Sequence, residues 1–260
     1  MTSSIATLDA RGGPSFATGP RPMWLAAILG VLLVCGAAIG EEIRSEARVV
    51  VELFTSQGCA SCPPADALLT ELDGRDDVVA LAYHVDYWDY IGWEDTFASP
   101  AFSERQRAYA AGWGNSRIYT PQMVINGGSH VVGSKARDVR SAILGAALEV
   151  PVELMRVEDR IEIRIPPQPD VGDAMIWLVS FIDNAEVTIE RGENAGQQIL
   201  YSQVVTQRQG VGLWDAEGGA VIRMPLSEAL PAGATGVAVL LQSDQAGMPG
   251  PIMGAALYRR

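Results

Sequence analysis

The chain has 260 residues, 48% of them hydrophobic, enough to bury a sizeable core and long enough for one or two domains, of which we expect two. Its formal net charge is −12, and no basic run exceeds the terminal pair Arg259-Arg260. Nothing here would condense on a phosphate backbone, which excludes nucleic acid as an expected partner.

Residues 1–22 are polar and carry Arg11 and Arg21; an uncharged apolar stretch follows at 23–40, with Glu41 and Glu42 directly behind it. The small residues Ala38 and Gly40 ahead of Glu41 fit a cleaved secretory signal. The competing expectation is an uncleaved membrane anchor of near-minimal length, in the same orientation. Either way the rest of the chain is exported, periplasmic or held at the inner membrane facing the periplasm, and the membrane is met only through this segment. Cys35 lies inside it, and the Val34 before it is too large for a lipid-attachment site.

Beyond residue 40 the only cysteines are Cys59 and Cys62, a pair in a compartment where disulfides persist. A structural zinc needs four ligands, and the only histidines, His84 and His130, stand alone and far apart. We therefore expect no metal and no cofactor, with a copper or zinc carrier as a lesser alternative.

The cysteines stand in a legible local frame. Residues 48–56, RVVVELFTS, are apolar and β-branched at nearly every position, as in a strand buried on both faces. After a turn at Gln57-Gly58 come the cysteines, then PPADALLTEL, where Ala65, Leu68, Leu69 and Leu72 repeat at helical spacing. The helix is expected to begin at Pro63 with Cys62 capping it, because Pro64 inside a longer helix would break the ladder. A helix N-terminus favours thiolate by up to about 2 kcal/mol, which would bring a cysteine from roughly 8.5 to near 7. Asp66, in the first turn, would oppose that thiolate.

Further along, residues 78–86 read as a second buried strand, parallel to the first across a right-handed βαβ unit. Ser99-Pro100 opens a helix whose Phe102, Gln106, Tyr109 and Trp113 share a face. Asn126-Gly127-Gly128 joins two short strands as a hairpin, and residues 135–148 form an amphipathic helix. Between these, the aromatic segment 84–100 is expected to pack over the domain as an extra loop. His84 and Asp86 fall on one face of the preceding strand without a role of their own.

The order β-α-β-α-β-β-α, with CxxC after the first strand, resembles the thioredoxin fold. That resemblance implies that Pro121 is the cis-proline facing the dithiol, and that Thr120 offers its backbone to a bound substrate. It also implies that Glu52, seven residues before Cys59, is a buried carboxylate passing protons for the pair. VVELFTSQGCASCPPAD, AYHVDYWDYIGWEDTFASPAFSERQRAYA and YTPQMVING moreover resemble one family of exported bacterial proteins, catalogued as domain of unknown function 1223. The likeness runs over roughly residues 48–258, including RGENAGQ at 191–197. This family carries no established reaction.

From residue 151 onward short strands recur about every ten residues between Gly, Pro, Asn and Asp, as in a β-sandwich. The expected fold is thus an α/β thioredoxin-like domain at 45–150 followed by an all-β sandwich at 151–260. RGENAGQ reads as a charged hairpin loop or as a contact to the first domain. The expected function is an envelope thiol–disulfide oxidoreductase acting on protein thiols or disulfides: Cys59 exchanges, Cys62 resolves, and Pro121 shapes the groove. The alternative is a non-catalytic binding or assembly protein stapled by Cys59–Cys62.

Overall fold

In the computed structural model, which describes residues 41–44 and 47–260, every position of the strand before the cysteines is buried. The signal or anchor expected at 1–40, with Cys35, lies outside the described residues. Among the described residues no helix is long and apolar enough to cross a membrane. Strand β1 (Glu41–Arg44) comes first, and β2 (Val49–Thr55) follows it. Helix α1 (Pro63–Asp73) then leads to β3 (Val78–His84), which pairs parallel with β2 from Val49↔Val78 to Thr55↔His84.

The alternation of β2 divides its neighbours. Val49, Val51 and Leu53 pack with Leu68, Leu69 and Leu72 of α1, while Val50 and Phe54 face Phe102 and Tyr109 of α2 (Pro100–Gly112). The start of α2 follows its sequence: Ala101 N–H donates to the Ser99 side chain, and Pro100 occupies the first turn, where no N–H is needed. On its other edge β2 pairs antiparallel with β4 (Gln122–Ile125), which returns through a hairpin to β5 (Ser129–Val132). The hairpin turn needs glycine at Gly127, with φ +63° and a Cβ position only 2.6 Å from the Gly250 carbonyl oxygen. Helix α3 (Ala136–Leu144) closes this half.

The second half corrects the expected fold class. Strands β6 (Glu153–Val157), β7 (Arg160–Ile165) and β10 (Ala220–Pro225) join β1 in a four-stranded sheet of order β1-β6-β7-β10. The long strands β8 (Ala174–Thr188) and β9 (Gln198–Trp214), with β11 (Gly236–Gln245) and β12 (Met248–Arg259), instead extend the first half's sheet. The result is one mixed eight-stranded sheet, β12-β11-β8-β9-β3-β2-β4-β5, four strands from each half. The molecule is therefore a mostly β fold built on a shared sheet, and not an α/β thioredoxin-like domain followed by a separate sandwich.

The join is β9 running parallel to β3 at Ala82↔Val204. Its physical reason lies in β3: a fully buried strand cannot leave a row of backbone N–H and C=O groups unpaired at its outer edge. The smaller sheet packs Leu154, Ile161, Ile163 and Met224 against Ile176, Leu178, Val239 and the fully buried Trp214. A short helix, α4 (Leu226–Ala229), lies between β10 and β11.

Candidate functional site

Cys59 and Cys62 form a disulfide in the turn between β2 and α1, with their Cα atoms 5.4 Å apart. The turn is tied by Cys59 N–H donating to Ser56 O at 3.1 Å and Cys62 N–H donating to Cys59 O at 3.1 Å. Helix α1 begins at Pro63, and the Cys62 carbonyl accepts from Ala65 and Asp66 N–H, so Cys62 occupies the capping position read from the sequence. Asp66 comes four residues later, which puts the two side chains on one helix face, about 5–6 Å apart at Cβ.

Both cysteines are closed off from solvent, at 1% exposure for Cys59 and 0% for Cys62, although Ala60 and Ser61 between them are exposed. Two loops form the cover. The aromatic segment packs Trp88 over the turn, within 3.2 Å of a Cβ placed on Gly58, while Trp93 Nε1 donates to Gln57 Oε1 at 2.8 Å. The loop between β8 and β9 drops one buried side chain inward: Asn194 Nδ2 donates to Gln57 O at 2.9 Å and to Cys59 O at 3.0 Å. The charged RGENAGQ stretch is thus a contact to the cysteine turn from 135 residues away.

Beneath the turn lies a buried polar cluster that sequence reasoning missed. Thr55 Oγ1 donates to Asp66 Oδ1 at 2.7 Å, and Asp66 Oδ2 has no partner. Burial pushes the Asp66 carboxyl up to about 7; the Thr55 hydrogen bond and His84 pull against this, and Asp95 adds to it. His84 Nδ1 meets Asp95 Oδ2 at 2.7 Å, both fully buried, while Asp95 Oδ2 also accepts from Gln57 N–H at 2.8 Å. His84 Nε2 and the Tyr201 hydroxyl are likewise without partners, and burial raises the Tyr201 pKa, with Asp66 and Asp95 adding to the effect. Despite this gathering, no group of three His, Cys, Asp or Glu among the described residues could hold a metal ion.

The residues singled out in the sequence divide into two sets. Pro121 and Thr120 reach the cysteine end of the sheet. The Thr120–Pro121 bond is cis, and the β2–β4 register ending at Phe54↔Gln122 carries Pro121 alongside Thr55. Pro121 O accepts from Gly133 N–H at 2.9 Å, and a Cβ on Gly133 would lie 3.1 Å from Ala65 of α1. Trp88 Nε1 donates to Thr120 Oγ1 at 2.7 Å, linking that loop to the cover over Gly58.

Glu52 goes elsewhere, to the face of β2 away from α1. Its Oε1 accepts from Arg105 Nε and Nη2 at 2.9 and 2.7 Å, and its Oε2 accepts from Tyr109 OH at 2.5 Å. The carboxyl facing the α1 side belongs to Asp66. Its helical spacing from Cys62 was the available signal; Asn194, 135 residues from Cys59, was singled out only as part of the RGENAGQ stretch. His130 stacks on Trp113 with ring centroids 4.7 Å apart, and Asp86 accepts from the Ser103 hydroxyl.

The family model described as a protein of unknown function, DUF1223, matches residues 50–242. Among solved structures, the crystal structure of protein AGR_C_4864 from Agrobacterium tumefaciens is similar at 38% identity and a TM-score of 0.73, over 81% of this chain and 93% of that one. HBP35 of Porphyromonas gingivalis is similar in fold alone, at 14% identity and a TM-score of 0.54, over 85% of this chain and 76% of that one. No curated protein matches the chain.

Proposed function

We propose that the chain, which belongs to the DUF1223 family, is an exported thiol–disulfide exchange protein whose dithiol works from behind a loop and meets protein thiols when that loop opens. The observation that carries this reading is Asp66, a buried carboxyl with a pKa of about 7 on the same helix face as Cys62. A staple has no need of it. Closing so short a ring as CxxC recovers only about 2 kcal/mol of chain entropy, whereas burying a carboxyl whose ionisation is pushed up to about pH 7 works against folding.

The chemistry follows from the frame. A substrate thiolate attacks Cys59 Sγ, the Cys59–Cys62 bond breaks, and Cys62 leaves with the electron pair as a thiolate favoured by the N-terminus of α1. Asp66, half protonated at neutral pH, delivers the proton that turns this thiolate into a thiol. A second substrate thiolate then attacks the substrate sulfur of the mixed disulfide, and Cys59 departs and is protonated. Two electrons and two protons pass from the substrate dithiol to the pair, and the reverse sequence reduces a substrate disulfide. The half-buried Thr120, held by Trp88, and the buried Pro121 stand at the same end of the sheet, and opening of the cover would present them to an incoming polypeptide.

The burial of both sulfurs supports the second reading, a binding or assembly protein with a permanent staple. Replacement of Cys62 by serine in the full chain, followed by non-reducing electrophoresis of envelope extracts, separates the two. Exchange yields covalent adducts that pass through Cys59 and vanish in the Cys59→Ser/Cys62→Ser double variant; a staple yields none.

A further inference from the structure

A second site lies on the sheet face away from α1, independent of the disulfide. Between α2 and strands β8, β9, β11 and β12 runs a groove of about 600 Å³, within the range of small-molecule sites. One wall is apolar, formed by Met175, Trp177, Leu213 and Met248. Leu213 is 73% exposed at its rim, a large hydrophobic side chain with nothing over it.

The floor is cationic. The Arg208 guanidinium carbon sits over Trp177, 3.2 Å from the ring centroid, and Arg105 lines the groove beside it. Both guanidiniums donate to one oxygen, Gln242 Oε1, at 3.2 Å from Arg105 and 3.3 Å from Arg208. Arg105 is neutralised by its ion pair with Glu52. Arg208 has no carboxylate partner among the described residues, and its Nε is buried without a hydrogen bond. A largely buried cation between an aromatic face and a second guanidinium is short of an anion; burial, with Arg105 adding to it, accordingly lowers its pKa to about 10.

The acids around the groove are already engaged. Glu104 accepts from Arg107, Asp173 from Ala216 N–H and Asp244 from Gly247 N–H. They ring the opening with negative charge, which disfavours a polyanion while leaving the single charge of Arg208 to be met.

We propose that this groove binds a small organic monocarboxylate, its carboxylate on Arg208 and its apolar body along Trp177, Met175, Leu213 and Met248. Charge complementarity selects the head, and the apolar wall selects the tail.

Isothermal titration of the full chain with 4-phenylbutyrate, its neutral counterpart 4-phenylbutanol and inorganic phosphate tests this. Saturable binding of 4-phenylbutyrate is expected, at least tenfold tighter than the alcohol, with no binding of phosphate. Arg208→Gln should abolish the preference for acid over alcohol. Leu213→Asp, a change at an exposed position that leaves the core intact, should weaken the acid at least fivefold and the alcohol much less. Absence of saturable binding in the unaltered chain, equal affinity for acid and alcohol, binding of phosphate as tight as the acid, or variants that bind like the parent would each overturn the proposal. Circular dichroism of both variants shows that a loss reflects the site and not unfolding.

Discussion

A carboxyl at 3% exposure with one oxygen unpartnered is a cost that the rest of the fold must offset. Asp66 titrates near 7 when folded and near 3.8 as a free side chain, so between these values the unfolded chain gives up a proton that the native state keeps. Its contribution to stability is therefore favourable in acid and falls as pH rises through that window, by on the order of 4 kcal/mol in all. Asp66→Asn keeps an acceptor for Thr55 without a charge. We expect it to be more stable than the parent by about 2–4 kcal/mol at pH 8, with the gain shrinking towards zero near pH 4. Denaturant unfolding at the two pH values measures this, and a variant destabilised equally at both would show that the native carboxyl is not held neutral. Sequence alone placed Asp66 in the first turn of a helix but not in a closed space. It also aimed Glu52 at the dithiol, because a strand apolar on both faces does not announce which face receives α1.

Elements were more legible than their partners. Pro63 and Pro100 in first turns, the Ser99 cap and the Asn126-Gly127 hairpin are local signals, and each element formed where its signal stood. The loop between β8 and β9 read as a charged hairpin or as a contact to the first half, and the structure makes it a cover whose Asn194 side chain anchors it to the cysteine turn. Gly192 and Gly196, both at φ near +80°, bend it on either side of Asn194. Removing the two hydrogen bonds from Asn194 to the cysteine turn costs about 1–3 kcal/mol, and if exchange passes through opening of this loop the open fraction rises accordingly. Asn194→Ala should speed reduction of Cys59–Cys62 by dithiothreitol about tenfold or more, with reduction only weakly dependent on urea. Reduction that instead tracks global unfolding, with the full urea dependence, would mean that the disulfide is reached only through the unfolded chain and would leave it a staple.

At the scale of the whole molecule, alternation told the faces of β8, β9, β11 and β12 but not the sheet they would join, since a strand's pattern specifies its sides and leaves its edges open. The outcome is a sheet common to both halves, and the described residues form one compact unit. A buried polar network crosses it: Glu52 of β2 holds Arg105 and Tyr109 of α2, and both meet Gln242 of β11. Breaking a buried ion pair from one side strands the other charge and costs about 3–5 kcal/mol. Glu52→Gln should therefore lower the stability of both halves together. In a background whose other tryptophans are replaced by phenylalanine, Trp214, fully buried among residues of the second half, reports on that half, and far-UV circular dichroism reports on the whole sheet. The two probes should share one urea midpoint in the parent and move together in the variant, and the pair Glu52→Leu with Arg105→Met should recover most of the loss because no charge is left stranded. Separate midpoints, with only the non-tryptophan signal shifted by Glu52→Gln, would mean that the halves unfold independently and that the shared sheet does not couple them.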